Sequence, residues 1–538
     1  MHDLVHDLAE KVFKFESLTQ DLDQMDDGAL DAIQHVARIS STTLERFPQR
    51  SLRRLQSLFP PRRFEFSNIF QKFRALRTLN LLCADVEELP SSMGKLKRLR
   101  YLNISRTKIK ALPKSVGKLY NLQTLRMSNT YIKKFPTEME NLISLRHIYF
   151  DKDVEVPFGM TRLTHLQTLS SFNLDVDGRH RLDELGGLNE LKGELVIGSL
   201  QFVRDKEEAV KSNLVGKPNI RKLKLKWRHD LSADLDKDIL EGLQPHPNLE
   251  SLTIKGFKGT KFASWMMSDS LLINLTEIKL IWWRECEAVP PLGYLANLRR
   301  ISIEKCPKLK SFPISQSQSL EELRIEDCPK LRCTSIHSLP SLCKLDIQRC
   351  TTLEESENLQ STTSKFSTTF QQQQHEENLS LNGCTSLSEL KIQHCNGFTS
   401  ILSGLHSCTS LRSLVIDDCQ NLESFQISPS QSLEELKIVG CPKLRCTSIQ
   451  NLPSIRDLVI RGCTILEGDL SLNGCTSLSE LKIERCNGFT SILSGLHSCT
   501  SLRTLQILGC PNLRTLSGHG LQTPVSLQKM DIYIFALI

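Results

Sequence analysis

Leu76–Leu125 reads LRTLNLLCADVEELPSSMGKLKRLRYLNISRTKIKALPKSVGKLYNLQTL. Within it, Leu79-Asn80-Leu81 and Leu102-Asn103-Ile104 stand 23 residues apart, and the same step leads on to Leu125-Arg126-Met127 and Ile148-Tyr149-Phe150. Another leucine precedes each triplet: Leu76, Leu99, Leu122 and Leu145. The triplets alternate with period two, so each reads as a short strand and not as part of a helix. One such unit cannot bury its own apolar side. Stacked units can, because the leucines of successive turns form a continuous internal column.

The beat resumes at Leu195-Val196-Ile197 and Leu223-Lys224-Leu225 and runs through Leu436-Lys437-Ile438 and Leu458-Val459-Ile460 to Met530-Asp531-Ile532. L-x-x-L-x-L is the mark of a leucine-rich repeat. The expected fold class is α/β: a leucine-rich-repeat solenoid (a horseshoe) with a parallel β-sheet on its concave face, preceded by a short helical segment. The segments between strands are mostly too short and too rich in Pro, Gly and Ser for full helices. Only 6% of residues are aromatic against 39% hydrophobic, so leucine and isoleucine must supply the core. No apolar run approaches the roughly 18 residues of a membrane span. Met1-His2-Asp3-Leu4 opens with an acidic residue and no apolar run, unlike a secretory signal. The expected location is therefore cytoplasmic or nucleocytoplasmic, and not secreted.

The 18 cysteines follow the same rhythm. Cys306, Cys328, Cys350, Cys395, Cys419, Cys441, Cys463, Cys486 and Cys510 each fall at one phase just after a strand, where the repeat turns a small side chain inward. This predicts a ladder of buried thiols. No C-x-x-C occurs, so neither a zinc site nor a redox pair is supported.

Residues 1–33 lack the repeat, and His2–Phe13 has the apolar spacing of an amphipathic helix. Residues 34–538 are expected to be the repeat domain, with degenerate first strands near Val36–Ser40 and Leu55–Phe59. Residues 355–378, polar and Gln-rich, read as a disordered insert. The later repeats are internally duplicated: LSLNGCTSLSELKI occurs at Leu379–Ile392 and again at Leu470–Ile483. Charge is uneven. Residues 51–150 hold 20 Lys/Arg and 6 Asp/Glu, a net of +14, within a chain of net +7. Arg74, Arg77, Arg98 and Arg100 are candidates for an interdomain basic patch. Lys222, Lys224 and Lys226 alternate with leucines and should project together from the concave face. Protein contact is favoured over nucleic acid, because no aromatic residues interleave with these charges to stack bases. The same alternation makes Glu435, Lys437, Val439, Asp457, Val459, Arg461, Glu480, Lys482 and Glu484 concave-face binding candidates. Trp283 falls at the cysteine phase and should be core, leaving Trp282 the better candidate for an exposed contact. The sequons at Asn103, Asn274 and Asn378 are read as chance, Asn103 being placed on the concave face.

MHDLVHDLA at the start resembles the segment closing the nucleotide-binding module of plant intracellular nucleotide-binding leucine-rich-repeat (NLR) disease-resistance proteins, coiled-coil class. Leu76–Leu125, LDELGGLNELKGELVIGSL (Leu182–Leu200), LEGLQPHPNLESLTIKGFKG (Leu240–Gly259) and PPLGYLANLRRISIEKCP (Pro290–Pro307) resemble later stretches of that family in the family's order. The resemblance implies that residues 1–33 are the end of a nucleotide-binding module, that His2 and Asp3 match its nucleotide-sensing motif, and that ADP or ATP belongs to full-length relatives. No G-x-x-x-x-G-K-[ST] stands in this chain to cradle phosphates, so no cofactor is expected of it. His2 and His6 lack the glutamate and third ligand of a zinc site. No nucleophile elbow is present either, and no enzyme is expected. What the resemblance implies is recognition and autoinhibition in plant defence, by binding a pathogen effector or a guarded host protein and by docking the nucleotide-binding module. The alternatives are a cell-surface receptor ectodomain and a substrate adaptor for ubiquitin ligation. Asp531–Ile538 is expected to be an apolar strand with no polar cap, an open edge.

Overall fold

The computed structural model describes residues 34–37, 39, 41–64, 69–151, 154, 159–175, 181–228, 236–268, 270–312, 314, 317–331, 336, 338–350, 381–401, 405–425, 431–445, 451–463, 468–494, 496–513 and 526–533. The expected helix His2–Phe13, with His2 and Asp3, lies outside the described residues, as do the insert 355–378, Asn378 and the run after Tyr533. The chain divides into two compact units, Met1–Leu249 and Glu250–Ile538.

In the first unit, His35–Ala37, Ser57–Phe59, Thr78–Asn80, Tyr101–Asn103, Thr124–Arg126, His147–Tyr149 and Thr168–Leu169 form a seven-stranded parallel sheet in chain order. Leucine faces leucine along it: Leu79 pairs with Leu102, and Leu102 with Leu125. These side chains, with Leu76, Leu99 and Leu122, are fully buried. Removing each such leucine from water contributes about 1.5–3 kcal/mol. Parallel strands need long crossovers. Here these are five-residue 3-10 turns at Ser91–Lys95, Lys114–Lys118 and Thr137–Asn141, each entered through a proline. Pro90, Pro113 and Pro136 hold φ near −68° and so fix the entry angle. The turns stack so closely that a Cβ on Gly117 would lie 2.3 Å from the Glu138 carbonyl oxygen.

Two strands absent from the expected series appear where the rhythm breaks. Thr168–Leu169 ends the first sheet, and Phe172–Asn173 pairs instead with Gly193–Gly198, which pairs with Ile220–Lys226. Ser170-Ser171 intervenes in a single repeat, so its strand splits in two. Beyond this point the first unit's connectors also carry short α-helices: Asp183–Gly186, Lys206–Lys211 and Asp236–Gly242. Asp205 caps the second by accepting from the Glu208 amide at 2.7 Å. Buried Glu208 is held by Arg204 at 3.0 Å and Arg181 at 3.4 Å.

In the second unit, Ser251–Lys255, Glu277–Ile281, Arg300–Glu304, Glu322–Glu326 and Lys344–Gln348 run in parallel and in full register. Glu389–Gln393, Ser413–Asp417, Glu435–Val439, Asp457–Arg461, Glu480–Glu484, Thr504–Leu508 and Lys529–Tyr533 continue the series. The chain between Lys344–Gln348 and Glu389–Gln393 leaves the ladder intact, with Leu345 directly opposite Leu390. Two small parallel pairs were not expected: Ser400–Ile401 with Ser424–Phe425, and Gly468–Ser471 with Phe489–Ser494. Their short Ser/Thr-rich runs carry too little apolar pattern to read as strands.

All nine ladder cysteines are buried and free. Each thiol donates to the carbonyl two residues back, as Cys306 does to Glu304 at 3.4 Å and Cys486 to Glu484 at 3.3 Å. Several reach the preceding repeat too, as Cys486 does to Ile460 at 3.7 Å. A second buried thiol set lies in the connectors, where burial pushes Cys408 and Cys499 up to about 12. Such thiols do not ionise near neutral pH and are poor nucleophiles. Trp283 is buried at the same phase, and its indole N–H donates to Ile254 at 3.2 Å. Asn103 differs from expectation. It lies in register with Arg126 but is buried, and its amide oxygen accepts from the Ser105 N–H at 3.0 Å.

Lys217 is fully buried with its ammonium donating to the Leu188 carbonyl at 3.1 Å. Burial lowers its pKa from 10.5 to about 8. Between those values the unfolded chain binds the extra proton, so stability rises with pH across the window and is lost as pH falls towards 8. Lys217→Met should therefore stabilise the protein at pH 7, by at most about 3 kcal/mol. It should also flatten the rise between pH 8 and 10.5. Urea melts of both proteins across that range check this, and an unchanged pH slope would refute it.

Candidate functional site

The strands of the second unit's long sheet from Ser251–Lys255 to Thr504–Leu508 have the form x-Φ-x-Φ-x, their two Leu or Ile residues buried and their three x residues on the open face, whereas Met530 of the last strand is exposed. Register then stacks the x residues into three columns. Glu435, Asp457 and Glu480 are consecutive in the first, Lys437, Val459 and Lys482 in the second, and Val439, Arg461 and Glu484 in the third. All nine candidates thus lie together on one face, and all but exposed Arg461 are half-buried.

Their charges are largely matched within that face. Lys437 pairs with Glu435, Lys482 with Glu480 at 2.6 Å, and Arg461 with Glu484 at 2.7 Å. Lys437 holds the Glu435 carboxyl below the usual carboxylate range, helped by the Ser413 hydroxyl at 2.6 Å. Asp457 moves the other way: burial raises it first, and flanking Glu480 and Glu435 raise it further. The lattice extends to earlier repeats, where Arg324 bridges Asp346 at 3.0 Å and Glu326 at 2.7 Å, and Lys344 meets Glu389 at 3.0 Å. Arg300, Ser302, Arg324 and Lys391 help line a depression of about 320 Å³ in this face.

In the first unit, Lys222, Lys224 and Lys226 do project on one side of Ile220–Lys226. Lys224 is paired with Glu194 at 2.7 Å. Arg74, Arg77, Arg98 and Arg100 are all exposed. Arg77 and Arg100 occupy the same position before successive strands, joined by an Arg100 N–H to Arg77 carbonyl bond of 2.8 Å. Arg74 and Arg98 sit at two other phases of the same rim. No carboxylate pairs with any of the four among the described residues. The acids of this block face elsewhere, as Asp85 to Lys108 at 2.9 Å and Glu138 to Lys114 at 3.8 Å show. The expectation that no aromatic residue interleaves with the basic ones fails here. Lys97 lies 4.8 Å from the Tyr120 ring centroid and Arg126 lies 4.6 Å from that of Tyr149. Both rings thus lie beside a cation of their own chain.

Among solved structures the chain resembles a TDR receptor, with a TM-score of 0.51 and 15% identity over 90% of this chain and 89% of that one. It also resembles a leucine-rich-repeat protein of Leptospira interrogans, with a TM-score of 0.50 and 18% identity over 76% and 94%. The molecule is a leucine-rich-repeat protein. A family model described as R13L1/DRL21 LRRs matches residues 182–306. The disease resistance protein RGA1 of Solanum bulbocastanum is 36% identical over 310 residues, 56% of this chain and 29% of the relative. RGA2 of the same species is 35% identical over 144 residues, 26% of this chain and 15% of the relative. Over the matched stretches the repeats resemble those of plant disease-resistance proteins, and the chain spans less than a third of these relatives' length. Among the described residues no helix is long and apolar enough to cross a membrane.

The register separates two kinds of substitution. Leu436→Ala should cost about 2–5 kcal/mol, since it opens a cavity in the internal column. Lys437→Ala on the open face should stay within about 0.5 kcal/mol. Chemical denaturation of the two variants checks the pair, and equal losses would refute the assignment of faces.

Proposed function

We propose that this chain is the recognition region of an intracellular plant disease-resistance receptor, and that it binds a pathogen effector or a guarded host protein through the open face of its later repeats. One observation carries this reading. Residues 381–422 and 472–513 are internal copies that differ at seven positions: 393, 394, 413, 415, 417, 418 and 420 in the first copy. Gln393, Ser413, Val415 and Asp417 are open-face residues, and His394, Asp418 and Gln420 follow directly in the turns at the strand ends. Exposed connector residues such as Asn382, Thr385, His406, Thr409 and Ser410 are identical in both copies. Drift limited only by burial would have altered both kinds of exposed site. Change confined to the open face and the turns directly after its strands is what diversification of a binding surface leaves.

The basic rim around Arg74, Arg77, Arg98 and Arg100 is assigned to autoinhibitory docking of the nucleotide-binding module of full-length relatives. Exposed cations without carboxylate partners favour an acidic surface and steer it at long range. ADP or ATP belongs with that module, as does the nucleotide-sensing role that His2 and Asp3 would take in its presence.

Exchanging Glu435, Lys437, Val439, Asp457, Val459, Arg461, Glu480, Lys482 and Glu484 for a relative's residues should change which pathogen molecule triggers a leaf response and leave the melting temperature unaltered. Recognition that follows the connectors instead would move the site off the open face. For the rim, Arg74, Arg77, Arg98 and Arg100 are reversed to Glu in a chimera carrying a relative's nucleotide-binding module. Loss of silence without a trigger is expected. A chimera that stays silent and responds normally would refute docking there.

A further inference from the structure

In the long sheet of the second unit, each strand from Ser251–Lys255 to Thr504–Leu508 is followed by a residue whose N–H reaches the next repeat and whose φ is positive. Glycine holds the place at Gly256, Gly440, Gly462 and Gly509, and flexible polar residues at Lys305, Asp327, Arg349, His394, Asp418 and Arg485. Trp282, with φ 60°, is the exception in kind. A bulky ring in left-handed backbone is strained, and strain of that sort tends to gather at functional sites.

Its surroundings are cationic. Lys255 of the preceding repeat lies 4.5 Å from the ring centroid and Lys305 of the following one 5.4 Å. Trp282, Arg284, Lys305, Pro307 and Pro329 line an open pocket of about 560 Å³ together with Asp327 and Arg349. Arg349 is matched by Asp327 and Glu326, whereas Arg284 is exposed and has no ion-pair partner among the described residues. Lys255, Arg284 and Lys305 therefore leave the pocket positive beside an aromatic face and two proline rings.

We propose that this pocket binds an acidic peptide segment, with the carboxylates taken by Arg284 and Lys305 and the chain lying against Trp282. A phosphate group is a poorer fit. The N–H groups of Trp282, Lys305 and Asp327 are spent on Glu304, Glu326 and Gln348 at 2.8, 2.8 and 3.0 Å, so no backbone nest is left to hold it. Carboxylates spaced along a flexible chain can instead reach separate cations. The site is distinct from the open sheet face and does not depend on that face's role.

The test titrates the whole chain with an N-acetylated, C-amidated hexaglutamate peptide, following tryptophan emission and the anisotropy of a labelled copy. Trp227, Trp265 and Trp283 are buried, so an emission change reports Trp282. Trp282→Gly places in the turn the residue that four other repeats already use, and should fold. It should abolish the emission change and weaken binding about tenfold or more, as loss of an aromatic anchor does. Arg284→Glu should weaken binding to a similar extent. The proposal fails if neither variant alters affinity, if binding is lost only in Arg77→Glu/Arg100→Glu, or if inorganic phosphate displaces the peptide at matched concentration.

Discussion

The parallel ladder, joining each repeat to the next residue for residue, is the constraint from which the rest follows. Strands about 4.8 Å apart leave no room for one repeat to differ in path from its neighbours. The N–H just past each strand must still find the next repeat's carbonyl, as Lys305 finds Glu326 at 2.8 Å and Gly462 finds Glu484 at 2.8 Å. That bond sets the positive φ, which in turn aims the following side chain inward. The inward place is apolar at Ala84 and Phe257, and elsewhere it takes groups that donate to nearby carbonyls. Thr107 fills it early with a 2.7 Å bond to Ile104, and cysteines fill it later with longer, weaker ones. Trp283 fits there because Phe257 and Phe262 pack against its ring at 4.9 and 5.6 Å.

Period and burial were legible in the sequence because each is repeated many times. The leucine columns, the cysteine phase and the inward turn of Trp283 all followed from counting alone. What depends on a single departure was not legible. Ser170-Ser171 splits a strand between two sheets, yet it looks like any polar pair. Asn103 alternates as an open-face residue should, but the turn after it claims its amide and neighbouring side chains cover it. Lys217 reads as a surface lysine, and only the packed connectors around it reveal a buried amine. Trp282 was marked as a contact, but its strained backbone and its two lysines come from repeats adjacent in space and distant in sequence.

The open face of the second unit is rich in charge and yet mostly satisfied. Pairs such as Arg461–Glu484 are half-exposed and contribute little stability, within about 1 kcal/mol each. In the proposed role their effect falls on recognition. A partner must supply groups that replace these pairs as it covers them, and any mismatch leaves a charge desolvated and unpaired. Such a surface discriminates strongly while attracting weakly. One exchange in the third column changes the partner: Gln393 in one copy meets Asp417 of the following strand at 3.4 Å, whereas Glu484 in the other pairs with Arg461 of the preceding one.

The rim of the first unit has the opposite character. Its arginines are exposed and unmatched, so their field extends into solvent over about a Debye length, roughly 8 Å at physiological salt. Such a surface attracts acidic partners without demanding a particular arrangement, and it weakens as salt rises. The repeat scaffold permits both behaviours because backbone and side chains divide the labour. The ladder and the leucine columns hold the fold and are indifferent to outward residues. Charge on each face can therefore be set to steer or to discriminate while the core stays the same.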